Sequence, residues 1–196
     1  NFSKKIFPHK KELIRKVVHI GTGPIIPLAW WLNLSKASAI GLASIITILL
    51  LINHRSRLFS AIEDVPRKSF GTIAYGLSIT ILIILFWPEH ASAVTAGVLV
   101  MAFGDGLAGL IGKEMKSQNW QIFGQQKSVA GTLTMGLVGA IVLVSINLIT
   151  GHPLGAIDLF TITSLAVILE QISFWGIDNL TVPIGVAFGW IWMSTI

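Results

Sequence analysis

Asp105 is the residue that most needs a chemical explanation. It lies in Met101-Ala102-Phe103-Gly104-Asp105-Gly106-Leu107-Ala108-Gly109, inside an otherwise apolar run from Ala91 to Gly112. A carboxylate in such a run is costly to keep in a bilayer, so its default reading is functional. Lys113 marks the end of the run, and a continuous helix then buries Asp105 by about 12 Å. The flanking glycines let another backbone or a ligand come close. The alternative is a carboxylate that only packs against a neighbouring helix.

Glu170, Asp178 and Asn179 fall on the same expected membrane face. Each alone reads as a solvated loop group. With Asp105 they bring three carboxylates and an amide oxygen together, a donor set suited to Mg²⁺ or another hard divalent cation and to phosphate partners. The metal candidates are therefore Asp105, Glu170 and Asp178. Asp158 lies toward the other face and reads as structural.

Two basic segments supply the complementary charge. Lys127-Ser128-Val129-Ala130-Gly131-Thr132 opens a helix, where free N–H groups and the positive dipole end suit phosphate. It is not a Walker A loop, because Gln126 stands where glycine is required. Taken alone, Lys-Ser at this place is also an ordinary helix cap. Near the N-terminus, Glu12, Arg15, Lys16 and His19 recur at helical spacing opposite Leu13, Ile14, Val17 and Val18. That pattern predicts an interfacial amphipathic helix over residues 1–19. Arg15 and His19, one turn apart, are placed to face a phosphate.

The elements that must hold these groups are membrane helices. Hydrophobic residues make up 53% of the 196 residues and charged ones 12%, against about 25% charged in a soluble domain. Apolar runs read as Val17–Leu32, Ala37–Asn53, Thr72–Trp87, Ala91–Gly112, Val129–Ile149, Leu154–Ser173 and Asn179–Ile196. The expectation is an all-α polytopic helix bundle of about seven transmembrane helices, one domain over 1–196. All Lys and Arg except Lys36 fall before the first run, between the second and third, or between the fourth and fifth. The positive-inside rule then puts the N-terminus and the candidate groups on the cytoplasmic side. Trp30, Trp31, Trp87, Trp190 and Trp192 fall at outer ends and Trp175 at an inner end, as interface anchors would.

Other classes are excluded or set aside. No cysteine is present, which removes thiolate nucleophiles and Cys-ligated metals. The net charge of +5 reads as orientation and attraction to anionic lipid, not as nucleic-acid binding. No lysine follows Lys127, so a retinal Schiff base in a later span is excluded. Gly185-x-x-x-Gly189 serves either internal packing or a homodimer. The first residue is Asn rather than Met, so an upstream segment is expected.

In order along the chain, the motifs resemble the polyprenol kinase family: Arg15-Lys16-Val17-Val18-His19; Arg67-Lys68-Ser69-Phe70-Gly71-Thr72; Gly104-Asp105-Gly106; Lys127-Ser128-Val129-Ala130-Gly131-Thr132; and Asp178-Asn179-Leu180-Thr181-Val182-Pro183 after Glu170. That family includes phytol, farnesol and dolichol kinases and the CTP-dependent diacylglycerol kinase. The likeness in size and in the last two motifs is nearest to phytol kinases of cyanobacteria and plastids.

The resemblance implies transfer of a nucleotide γ-phosphoryl, typically from CTP with Mg²⁺, to the hydroxyl of phytol or a related lipid alcohol. It implies Asp105 as catalytic base or metal ligand, Lys127, Ser128, Gly131 and Thr132 toward the nucleotide, and Asp178 and Asn179 as the Asp-Asn-x-Thr-x-Pro motif; Arg15, His19, Lys68 and Asn179 complete the nucleotide-binding set expected from the residues. The expected partners are lipid alcohol, nucleotide and membrane lipid, in a plasma or thylakoid-type membrane. An apolar groove beside Asp105, lined by the fourth, fifth and seventh runs, would admit the prenyl chain. Competing readings are a diacylglycerol kinase, a CDP-lipid-forming cytidylyltransferase and a small-molecule transporter.

Overall fold

The structure, a computed structural model, describes residues 3–56 and 70–195, with residues 3–12 as backbone only. Apolar segments without water must satisfy their own backbone groups, and here they do so as helices. In chain order these are α1 (Ser3–Thr22), α2 (Ile25–Trp31), α3 (Lys36–Ser56), α4 (Gly71–Phe86), α5 (Ala91–Glu114), α6 (Val129–Thr150), α7 (Ala156–Gln171) and α8 (Asp178–Ser194). Among the described residues, α3, α5 and α6 are long and apolar enough to cross a bilayer, and α4 is a shorter apolar helix of 16 residues.

The first expected run is not one helix. It splits at Gly23-Pro24, so that the basic segment continues to Thr22 and a separate short helix follows. Proline lacks the N–H that a continuing helix needs. Gly23 lets the turn sit against α5, where an added Cβ would lie 2.7 Å from Ala102 Cβ.

α5 is the central post. Of its apolar window 67% is buried, against 22% for α3 and 28% for α6. α8 crosses it at Gly97, where a Cβ would meet Pro183 O at 2.3 Å. Midway, from Val100 to Asp105, α5 opens into a π turn. Such a turn carries an extra residue and rotates everything after it by about 100° relative to a regular helix. The outer faces of α3, α6 and α7 stay apolar and exposed, with Leu49, Leu137, Ile149 and Phe160 turned outward. Exposed apolar faces of this extent suit hydrocarbon.

Two sequence expectations are corrected by packing. Trp87 and Trp190 are each 1% exposed and are core residues, not interface anchors. Trp87 Nε1 donates to Leu34 O at 2.8 Å, and Trp190 stacks edge-on with His152. Trp31, Trp175 and Trp192 do stand exposed. The Gly185/Gly189 stripe is taken up inside the chain, against Leu169 and Ile162 of α7. Asp158 keeps its structural role, accepting from Gly155 N at 2.8 Å at the start of α7.

The connection after α5 contains an antiparallel hairpin that sequence reading left as polar loop. β1 (Asn119–Ile122) pairs with β2 (Gln125–Ser128), Asn119 opposite Ser128 and Ile122 opposite Gln125. Phe123 and Gly124 both have positive φ, at 47° and 75°, as a two-residue type I′ hairpin turn requires. β2 runs directly into α6 and so aims Lys127 and Ser128.

Candidate active site

The site is built where α1 packs on the second half of α5. Gly109 presents no side chain to α1, and a Cβ there would lie 2.7 Å from Lys16 Cε. Lys16 fills that space, 6% exposed, and reaches Asp105, which is 8% exposed. Its Nζ donates to Asp105 Oδ2 at 2.8 Å and to Asp105 O at 3.1 Å. His19 stands one turn on, with Nε2 at 3.7 Å from Asp105 Oδ2 and 3.3 Å from Met101 O. An isolated ionised carboxylate at this depth would be very unfavourable, and the lysine makes it tolerable.

A second ion pair lies across the same cavity. Lys127 Nζ donates to Glu170 Oε1 and, at 2.6 Å, to Glu170 O. Gln171 Nε2 links Glu170 Oε2 and Thr132 Oγ1, both at 2.8 Å. Glu170 thus anchors Lys127 and ties α7 to α6. Its carboxylate is engaged from both sides.

The start of α6 is also more fully bonded than the sequence suggests. Ser128 caps the helix, accepting from Gly131 N at 3.1 Å and donating to Gly112 O at 3.2 Å. Val129 N donates to Gln118 O and Ala130 N to Ser117 Oγ. The expected free N–H groups at 129–131 are therefore occupied by Ser117 and Gln118, just before the hairpin, and by the cap. What remains for an anion is the dipole end and the Lys127 ammonium. Thr132 Oγ1 donates to Ser128 O at 3.0 Å. Gly112 and Gly131 make the close α5–α6 approach, since a Cβ on Gly112 would sit 3.1 Å from Gly131 Cα.

Asp178 and Asn179 open α8. Asp178 N donates to Ser173 Oγ at 2.6 Å, and Asn179 Nδ2 donates to Gly71 O at 3.1 Å. Asp178, 8% exposed, lines the cavity together with Asp105, so two buried carboxylates repel each other there. A cation between Asp105 and Asp178 would relieve that repulsion. Among the described residues, however, no three His, Asp or Glu side chains converge as one ion cage. Two carboxylates with phosphate oxygens and water suit Mg²⁺, which is seldom caged by protein alone.

These groups surround one polar cavity of about 350 Å³. Arg15, Asp105, Lys127, Ser128, Gly131, Thr132, Glu170, Asp178 and Asn179 all line it, as the sequence suggested. His19 does not: it faces a second, apolar cavity and stacks on Tyr75 at 4.6 Å between ring centres. Lys68 lies outside the described residues. Sequence reasoning missed Lys16 and Gln171 as site residues. The signal for Lys16 was its spacing, three residues before His19 and on the same helix face.

The chain aligns with a phytol kinase of Synechocystis sp. at 38% identity over 193 residues, covering 90% of this chain and 77% of that protein. The chain belongs to the phytol kinase family. It is a kinase, a phosphotransferase with an alcohol acceptor. A probable chloroplastic phytol kinase 2 of Glycine max is 25% identical over 188 residues, 89% of this chain and 63% of that protein. The chloroplastic farnesol kinase of Arabidopsis thaliana is 29% identical over 141 residues, 66% of this chain and 45% of that protein. No family model and no solved structure matches. For a phytol kinase-family chain, a cavity lined by four lysines, an arginine and three buried carboxylates has the charges that phosphoryl transfer uses.

Proposed function

We propose that this chain is a CTP-dependent prenol kinase, transferring the nucleotide γ-phosphoryl to the hydroxyl of phytol or a related isoprenoid alcohol. The observation that carries this reading is the polar cavity. It sets Asp105, Asp178, Lys127 and Arg15 around one space, next to an apolar groove that shares Arg15 and Asn179 with it. The names of the relatives, phytol kinase and farnesol kinase, support an isoprenoid alcohol over diacylglycerol. The distribution of Lys and Arg supports a seven-crossing arrangement with the cavity open to the cytoplasm, where the nucleotide arrives.

Asp105 and Asp178 are the residues that would hold Mg²⁺, which supplies charge neutralisation on the phosphate oxygens. Lys127 and Arg15 face the phosphates from the other walls. The acceptor oxygen forms a bond to the γ-phosphorus while the bridging bond to the β-phosphate breaks, its electron pair leaving on the β-phosphate. The hydroxyl proton passes to Asp105 Oδ1 or Oδ2. Lys16 holds that carboxylate in place. Such a positioned base contributes roughly 10²- to 10⁴-fold.

The test is transfer by purified protein in detergent with Mg²⁺ and γ-labelled CTP or ATP. Phytol, geranylgeraniol and diacylglycerol are offered as acceptors. Label should move from CTP into a prenol and stop on chelation of the divalent ion. Label from α- rather than γ-labelled CTP would instead identify a cytidylyltransferase.

A further inference from the structure

Beside the polar cavity lies the second, apolar one. It is a groove of about 230 Å³ running between α1–α2, α3 and α4. Its walls are apolar: Ile26, Ala39, Ala43, Ile79, Ile83 and Trp87. Gly71 and Trp87 both line it, so along α4 it extends about 24 Å, most of the thickness of a bilayer's hydrocarbon. One end is polar, and only that end adjoins the phosphoryl-transfer cavity, because Arg15 and Asn179 line both. Trp87 lines the other end, fixed through its indole N–H to Leu34 O.

At the polar end Asn179 is 3% exposed. Its Nδ2 is bonded to Gly71 O, which fixes the amide orientation. Its Oδ1 is buried and accepts no hydrogen bond among the described residues. An acceptor oxygen left bare at the junction of the two cavities wants a donor. An alcohol O–H is such a donor, and the rest of the groove suits a single apolar chain.

We infer that this groove holds the acceptor lipid upright, its hydroxyl docking on Asn179 Oδ1 before its single proton turns to Asp105 for transfer, and its prenyl tail running along α4 toward Trp87. Resting on the kinase reading above, this assigns Asn179 to the alcohol, not the nucleotide. It also moves the chain site from the faces of α5, α6 and α8 to those of α1–α4. Trp87 then sets the longest chain that fits, and Ala39 and Ala43, one turn apart on α3, set the width.

The test uses the wild-type protein and twenty-carbon prenols carrying a diazirine at the tail or next to the hydroxyl. The tail probe should label peptides holding Leu34–Ala43 and Ile83–Trp87, and the head probe those holding Thr22 and Tyr75. Excess unlabelled prenol should displace both. Label confined to α6 and α7, or undisplaced label, overturns the assignment. Ala43→Phe fills the width of the groove partway along, and should lower the ratio of kcat/KM for twenty- over ten-carbon prenols by roughly tenfold or more. The nucleotide KM should stay the same. An unchanged ratio in folded Ala43→Phe rejects the groove while the prenol kinase reading stands. Absence of phosphorylation of every prenol by wild-type protein defeats that reading, and this inference with it.

Discussion

Asp105 is able to sit deep in a helical bundle because Lys16 meets it there. The pair makes two predictions at the scale of the residue. Asp105→Asn should remove turnover while leaving helix content and insertion intact, as seen by circular dichroism and membrane fractionation. Lys16→Met should destabilise the protein by about 3–5 kcal/mol, because it strands a buried carboxylate. Adding Asp105→Asn to Lys16→Met should recover part of that loss in an unfolding assay, since the two side chains are directly coupled. Kinetic constants separate the other roles. Lys127→Ala should raise the KM for nucleotide, and Asn179→Ala the KM for alcohol, so a shared effect on one substrate would merge the two assignments. Most of these residues were legible because an ionisable group in an apolar run is rare and conspicuous. Lys16 was not, since it lies in a basic segment where orientation alone explains a lysine. The true partner of Glu170 was equally hidden, because an ion pair between α6 and α7 leaves no spacing in the sequence.

The elements matter through two close approaches. Gly109 gives Lys16 its place, and Gly112 lets the Ser128 cap and Gly131 come against α5. Gly112→Ala puts a Cβ 2.7 Å from Ser128 Oγ, which must push α6 away from α5. Turnover should fall with little change in helix content. Ser128→Ala alone should cost about 1 kcal/mol, the usual value of an N-cap. A thermal melt of both variants checks the difference. The helices themselves were readable from runs of apolar residues, and the start of α6 from Ser128. The hairpin was not, because its four-residue strands are polar and its turn is Phe123-Gly124, without the Asn-Gly that signals type I′. The split at Gly23-Pro24 was only half legible: proline tolerates membrane helices when neighbours compensate, and sequence does not reveal the neighbour.

For the whole molecule, the question is how an alcohol from the bilayer meets a nucleotide from water. Two cavities share Arg15 and Asn179, and on the proposed reading one takes the nucleotide and the other the alcohol. The chain contains no cysteine, so single substitutions can map its sides without background. Met115→Cys, at the end of α5 by the polar cavity, should resist an impermeant thiol reagent added outside intact cells. Glu89→Cys, between α4 and α5, should react with it. The reverse pattern would turn the nucleotide site outward. Burial of Trp87 and Trp190 was not foreseeable from composition, because tryptophan suits both a membrane interface and a core, and only packing chooses.

The central claim is that Asp105 serves prenol phosphorylation by this chain. It is tested most directly by comparing wild-type protein and Asp105→Asn, equally folded, for transfer from γ-labelled CTP to a twenty-carbon prenol. The account predicts labelled prenyl phosphate from the wild type and none above background from the variant. Equal label from both proteins would contradict it.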